Sequence, residues 1–597
     1  MVCQVKVPAF WRNGNGMLTV LNRFRVWWWL PLCAVGQALA ATPEIEISGG
    51  IKSLRENIRH YLSIAEESCT TQPWRLNALL GSSEAEIRSA SQALGYYELQ
   101  YEAKLTRGDN CWGLEIKLTP GEPVRVTELR IEVLGPGEAD PVFQPLFENP
   151  GIKIGNRLNH DNYEKLKARF GTYAAAHGYF DGEFALSRVE VNRAERSARI
   201  ALVYHTGPRY KIGAINLQHK ILSEAFLRRY LTFSEGDPYD SDKLLDLRTQ
   251  LNASNYFAVT TASPNLQELE NGEVAIDIVL EERKRREYSV GAGVATDTGP
   301  RLLLGYEDRY INQRGHRLSA DLNTSEIKTT AEVAYTIPMQ KPAQEFLRIY
   351  TRYLDENSDT KNTTKHVYGT SYSFLQRNRW LQTYALDYEQ ESSLIQGRTV
   401  STDLIVPSVS FTRTRTDGNP YPLSGWSLLG KLSGSPQSLG SDFSFVQFYG
   451  RAKWITALGP GRLLWRSELG TTSTVDFDEL PASVRFFAGG DQSVRGYAYE
   501  SLGPTGIVNG EEEVIGGKHL LTTSVEYDYR LPEKDWVLAA FYDLGNAADT
   551  LENVEFQRGV GLGVRWISPI GPVRLDFARA LDGDEGWRIH ISMGPDL

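Results

Sequence analysis

Val573-Arg574-Leu575-Asp576-Phe577-Ala578 and, after a turn, Trp587-Arg588-Ile589-His590-Ile591-Ser592-Met593 alternate large apolar residues with polar or small ones. Successive side chains of a strand point to opposite faces, so each segment offers one face to lipid and the other to water. From here back to Glu287 no helical period appears. Segments of about ten residues with the same alternation follow one another, divided by Gly, Pro, Asn and Asp, as in a transmembrane barrel. Sixteen candidates begin near Ser289, Leu302, Leu318, Ala331, Phe346, Val367, Leu381, Leu404, Trp426, Phe445, Leu463, Leu520, Val537, Val560, Val573 and Trp587. The number is even, as bacterial barrels require. A soluble sandwich also alternates, but rarely through so many strands behind an export signal.

Composition agrees with that reading. At 597 residues the chain needs several domains. Charged residues at 23% and a mean hydropathy of −0.35 exclude a bundle of apolar helices. The 29 Tyr, 22 Phe, 13 Trp and 53 Gly against 4 Met suit a β-rich chain. A formal charge of −10 argues against a nucleic-acid partner, which would call for a basic face.

The sustained apolar stretch from Val26 through Trp27-Trp28-Trp29-Leu30-Pro31 to Val35 is too short to span a membrane comfortably. Arg12, Arg23 and Arg25 precede it and Ala38-Leu39-Ala40 follows as a small-residue cleavage site. Residues 1–40 therefore read as a secretory signal peptide, with a signal anchor as the competing reading. Cleavage removes Cys3 and Cys33 and leaves Cys69 and Cys111 in an oxidising compartment. A disulfide is the natural reading and two separate buried thiols the alternative; a two-Cys zinc site lacks nearby ligands.

Between Pro43 and Arg286 a weak repeat of about 80 residues recurs three times. Gly95-Tyr96-Tyr97, Gly178-Tyr179-Phe180 and Asn255-Tyr256-Phe257 each follow a predicted helix, with Gly or Asn as the left-handed cap. Gly121, Val124, Val126, Leu129 and Ile131 share their offsets with Gly207, Tyr210, Ile212, Ile215 and Leu217, and Gly155, Leu158 and Tyr163 share theirs with Gly236, Tyr239 and Leu244. Each copy reads as strand, helix, helix, strand, strand, a small α+β module with an open sheet edge to which an extended peptide could add. The division is signal peptide 1–40, modules at 41–122, 123–208 and 209–285, and barrel 286–597. The charged run Glu281-Glu282-Arg283-Lys284-Arg285-Arg286-Glu287 reads as a solvated linker between them, or as a lipid-headgroup contact.

Closing the barrel requires the first and last strands to pair. Both carry weak pairing material: Gly291 and Gly293 in the first, Gly594-Pro595 at the end of the last, where Pro595 lacks an N–H. A short, easily opened seam is expected, with Ile589 and Ile591 of the last strand also among its residues, and ordinary terminal fraying is the alternative. A second feature is the long connection from Ser473 to Lys518, whose middle reads Phe486-Phe487-Ala488-Gly489-Gly490-Asp491-Gln492-Ser493-Val494-Arg495-Gly496-Tyr497. Such a loop suits folding inward, and Arg495 then needs a buried acid. Alternation puts Glu526 and Asp543 on the luminal face.

Val494-Arg495-Gly496-Tyr497, Phe541-Tyr542-Asp543-Leu544-Gly545 and Ser568-Pro569-Ile570-Gly571-Pro572-Val573-Arg574-Leu575-Asp576 resemble, in order, three motifs of the BamA/TamA superfamily. The modules resemble its POTRA domains, and their number is most similar to the TamA, or translocation and assembly module, branch. The resemblance implies that Arg495 enters the lumen near Glu526 and Asp543, and that the first and last strands form a lateral gate. It also implies periplasmic modules that contact a TamB-type protein anchored in the inner membrane. Outer-membrane client proteins such as autotransporters would be inserted at the gate in contact with membrane lipid, without catalysis. A polypeptide exporter of the two-partner type and a part in an intermembrane lipid bridge are the alternatives. No Walker loop, His-Glu-x-x-His or Gly-x-Ser-x-Gly occurs and the nine His show no ligand spacing, so neither cofactor nor metal is expected.

Overall fold

A computed structural model describes residues 3–6, 42–108, 111–395, 397–418, 421–508, 511–532, 534–552, 554–569, 571–583 and 586–594. The expected signal peptide, apart from Cys3–Lys6, and Pro595 of the expected gate lie outside these residues.

Local chemistry sets the helices of the modules. Pro73 opens the helix Pro73–Ala93, where its missing N–H costs nothing, and the side chains of Asn159 and Asp240 accept from the N–H groups of Asp161 and Asp242 to start His160–Ala176 and Ser241–Ala253. Gly95, Gly178 and Asn255 stand at φ of 82°, 87° and 66° where the chain leaves these helices. Each module has a three-stranded sheet in the order first, last, fourth element, with the first strand parallel and the fourth antiparallel to the central one. The first comprises Glu44–Ser48, Trp112–Thr119 and Gln100–Arg107; both outer strands are edges. Leu54, Ile58, Leu114 and Ile116 fill its core, and Cys69 and Cys111 are disulfide-bonded beside it with Cα atoms 4.6 Å apart.

The repeated aromatic pair does more than end a helix. Tyr96, Tyr179 and Tyr256 are buried in their own modules, whereas Tyr97 packs against the core of the second module and Phe180 against that of the third. Backbone bonds run beside them, from Val124 N–H to Gly95 O at 2.9 Å and from Tyr210 N–H to Gly178 O at 2.8 Å. Arg209 and the Tyr179 hydroxyl both donate to Asp140, at 2.9 and 2.7 Å, across the second junction.

Sixteen antiparallel strands, from Arg286–Ala295 to Trp587–Met593, form the barrel, each pairing with the next in sequence. All sixteen expected strands are present. Lipid-facing side chains such as Phe577, Ile589 and Trp587 are exposed, while Asp576, Ala578 and His590 on the alternate face are buried. The wall is lower beside the seam: the first three strands have 10, 10 and 9 residues, the sixth to eighth 14, 15 and 19.

One expectation needs correction. The run Glu281–Glu287 is not a free solvated linker, because strands occupy both its ends and the three residues between them are tied down. Arg283 donates to the carbonyl of Phe257 at 2.7 Å, Arg285 to Asp308 at 2.9 Å, and Glu287 pairs with Arg309. The third module also packs on the barrel's turns: Phe226 lies under Gly315, and Arg229 donates to Pro338 O at 3.0 Å. The seam is not a closed ladder. Among the described residues one backbone bond spans the seam, from Thr296 N–H just past the first strand to Ile591 O at 3.2 Å, and Cys3–Lys6 instead lines the first strand opposite Ser289–Ala292.

Opening the Cys69–Cys111 bond frees a segment with a sequence separation of 42 residues, so Cys69→Ser is expected to destabilise the first module by about 2–4 kcal/mol. Urea titration followed by protease resistance of the module would read this, and an unchanged midpoint would contradict it.

Candidate functional site

The connection between the eleventh strand, Gly461–Thr474, and the twelfth, His519–Arg530, crosses the lumen. It is a built structure. Ala488 and Leu502 exchange backbone bonds of 2.9 Å, Phe486 pairs with Gly517, and the Arg485 guanidinium donates to the carbonyls of Leu480, Phe477, Asp478 and Ile515. Phe486, Ala488, Val494, Tyr497 and Leu502 pack with Leu520, Ala547 and Ala580 of the wall. On the far wall, Ser483 N–H donates to Glu391 at 3.1 Å, Gln447 to Val484 O at 2.8 Å, and Lys361 to Glu500 at 2.7 Å.

Arg495 at its inner tip is 3% exposed. Nε and Nη2 grip both oxygens of Asp543, at 2.7 and 2.9 Å, and Nη1 reaches Glu526 at 2.6 Å. Both acids expected from alternation are thus brought to it. The wall supplies more: Nη1 lies 3.1 Å from Asp576, Nη2 lies 3.2 Å from Ser524 Oγ, and the guanidinium carbon sits 3.3 Å above the Phe541 ring. Arg565 donates to Glu526 at 2.9 Å and pairs with Asp576; Arg466 stands 3.7 Å from Asp543 and donates to the carbonyl of Asp491. Three guanidiniums therefore face three carboxylates, and the charges balance within this set. Such a set is far costlier to break than to build.

Gly496 follows at φ 101°, and a Cβ there would lie 2.7 Å from Ala580 N. Only glycine lets the backbone approach the wall this closely. The Gly496 N–H donates to His590 Nε2 at 3.1 Å, and the Tyr497 hydroxyl lies 2.9 Å from Asp582 O. His590 belongs to the last strand. Asp297, in the first hairpin turn, accepts from the Asp491 N–H at 2.6 Å and faces His590 Nδ1 at 3.7 Å. The loop thus touches both sides of the seam.

Of the expected gate residues, Gly291 and Gly293 pair with Leu303 and Arg301 on the second strand, and Ile589 and Ile591 with Phe577 and Leu575. Gly594 donates to Pro572 O at 3.3 Å. None of these faces another across the seam in a ladder. Sequence reasoning missed Asp576, Arg466 and His590 as partners of the loop, and Arg565 as the wall partner of Glu526 and Asp576. Asp576 and His590 could have been found, since they alternate with Leu575, Phe577, Ile589 and Ile591 just as Asp543 alternates with Tyr542. Asp297 carries no such signal, because turn residues have no alternation to place them.

A family model described as the Omp85 superfamily domain matches residues 287–596, one described as POTRA domain TamA domain 1 matches 44–120, and one described as surface antigen variable number repeat matches 210–283. Outer membrane protein assembly factor BamA of Nitratidesulfovibrio vulgaris is 24% identical over 452 residues, covering 71% of this chain and 56% of the relative. BamA of Neisseria meningitidis serogroup B is 23% identical over 444 residues, covering 62% and 54%. The chain thus spans just over half the length of these curated relatives. The crystal structure of BamA from Haemophilus ducreyi lacking POTRA domains 1-3 superposes with a TM-score of 0.66 at 16% identity, over 79% of this chain and 98% of that one, which establishes a shared fold.

Arg495→Ala leaves Glu526, Asp543 and Asp576 with two guanidiniums, a loss of about 3–5 kcal/mol from loop docking. The loop is then expected to become protease-sensitive in detergent-solubilised protein whose barrel keeps its heat-modifiable mobility. Arg495→Lys should not restore it, since one ammonium cannot reproduce the planar fork. Full protease resistance of Arg495→Ala would refute the docking role.

Proposed function

The chain belongs to the Omp85 superfamily, an outer-membrane protein with POTRA modules in the periplasm, and from that footing we propose that it is the outer-membrane member of a TamA-type translocation and assembly module. In this reading it inserts outer-membrane proteins, autotransporters among them, through the seam. The observation that carries the proposal is the single backbone bond between the first and last strands, beside a lumen crossed by a docked loop. A strand whose N–H and C=O groups are unpaired is a template for another strand. Cys3–Lys6 occupies that edge at Ser289–Ala292, which supports its capacity to take an extended peptide. Removal of the signal peptide would return the edge to clients.

The low wall beside the seam supports the same direction of travel. Strands of 9 and 10 residues cover less of the hydrocarbon core than those of 15 and 19, so the bilayer thins there and an entering strand crosses less of it. Threading through the lumen, as in an exporter, has less support because the loop bridges opposite walls.

The first module, proposed as 41–122, is the proposed contact for a TamB-type partner anchored in the inner membrane. Its Glu44–Ser48 edge and the exposed Trp74 are surfaces available for that contact. The match to the TamA first-domain model is the support for TamA over BamA.

Cysteines at Thr296 and Ile591, whose backbones already meet, should staple the seam when oxidised. Client assembly in reconstituted vesicles is expected to stop and to recover with reductant; assembly at full rate through a stapled seam would overturn the lateral route. A photo-crosslinker at Ile45 should capture a large inner-membrane-anchored protein in cells, whereas capture of a single secreted protein would favour the exporter.

A further inference from the structure

Behind the seam lies a luminal cavity of about 440 Å³, bounded by Gly293 and Ala295 of the first strand and Ser592 and Gly594 of the last. Its lining is strongly basic: Arg301, Arg451, Lys453, Arg466 and Arg574 join Arg495 there, against the carboxylates of Asp491, Glu526 and Asp576. Glu526 and Asp576 are already held by Arg495 and Arg565. Arg301 bonds to Thr298 Oγ1 at 2.7 Å and meets no carboxylate within salt-bridge distance among the described residues; nor does Arg451. Arg301 and Arg451 thus add cationic charge to the cavity behind the incomplete seam, Arg451 on the rung opposite Glu468.

On the outer face of the same strands runs an apolar groove of about 490 Å³, lined by Tyr288, Val290, Leu304, Tyr306, Leu322 and Val333. Tyr288, Val290, Leu304 and Val333 are 41–46% exposed there. The first strand contributes to both features, Gly293–Ala295 to the basic cavity and Tyr288–Val290 to the groove. Cys3–Lys6 pairs with Ser289–Ala292 on the edge between them, and cleavage of the expected signal peptide would open that edge toward the bilayer.

We propose that the seam holds a phospholipid, its phosphate drawn through the gap to Arg301 and Arg451 in the lumen and an acyl chain lying in the outer groove. Guanidiniums suit phosphate because their planar N–H forks match its oxygens, and a partly enclosed site strengthens the contact. The shared chemistry, a phosphate anion, is also offered by free phosphate, but only a lipid uses both features. The proposal does not depend on which clients the barrel handles.

The test uses the intact mature protein, purified in detergent and examined by native mass spectrometry with palmitoyl-oleoyl phosphatidylglycerol or inorganic phosphate. The wild type should retain phosphatidylglycerol after bulk detergent is stripped. Arg301→Gln with Arg451→Gln should lower retention about tenfold or more, the order of one lost charge-assisted contact. Leu304→Trp, which fills the groove and leaves the lumen untouched, should lower it too. Heat-modifiable mobility establishes that each variant is folded. Equal retention by the folded double variant, or uptake of phosphate with no lipid, would overturn the proposal.

Discussion

A guanidinium buried in a barrel must find carboxylates or it cannot stay, and the arrangement around Arg495 follows from that constraint. Glu526, Asp543 and Asp576 come from three wall strands, the twelfth, thirteenth and fifteenth, and Arg565 from the fourteenth between them. The loop thus stitches together the part of the wall nearest the seam. Because the charges balance within the set, removing one member exposes the others, and the loop docks as a unit. Arg485 does the corresponding work inside the loop, where four backbone carbonyls converge on one side chain.

The seam is the counterpart of that rigidity. Every other neighbouring pair of barrel strands is joined by a ladder of at least seven residue pairs, while the last strand, Trp587–Met593, reaches the first, among the described residues, only near Thr296. Side chains substitute in part for the missing ladder. Thr296 Oγ1 accepts from Ile591 N–H at 3.2 Å, and Asp297 and His590 both contact the docked loop. The docked loop and the two sides of the seam are therefore joined through these residues.

At the periplasmic end, coupling is by packing. Tyr97 and Phe180 each insert into the next module, and the third module meets the barrel through Phe226 beneath Gly315 and Tyr310 within its own core. The arm is thus a chain of interlocked units rather than beads on linkers. The first barrel strand continues within three residues from the end of Glu273–Glu282, so displacement of the third module bears directly on one side of the seam.

Periodicity made much of this visible beforehand. Alternation placed all sixteen strands and the faces of Glu526 and Asp543, because the side-chain period of a strand is local and a membrane demands it on every strand. The repeat spacing likewise exposed strand, helix, helix, strand, strand in each module, since caps such as Gly95, Gly178 and Asn255 are local too. What escaped was whatever depends on contacts between distant segments. The charged run at 281–287 looked like a linker because its partners Asp308 and Arg309 lie at and just past the end of the next strand. Tyr97 looked like a helix stop because the core it enters belongs to another module. Asp297 and Asp491 are separated by 194 residues, and nothing in either stretch announces the other. Sequence alone carried the local periods and hence the architecture; the pairing of charges, the incomplete seam and the docking of modules emerged only on folding, because they depend on which distant segments share space.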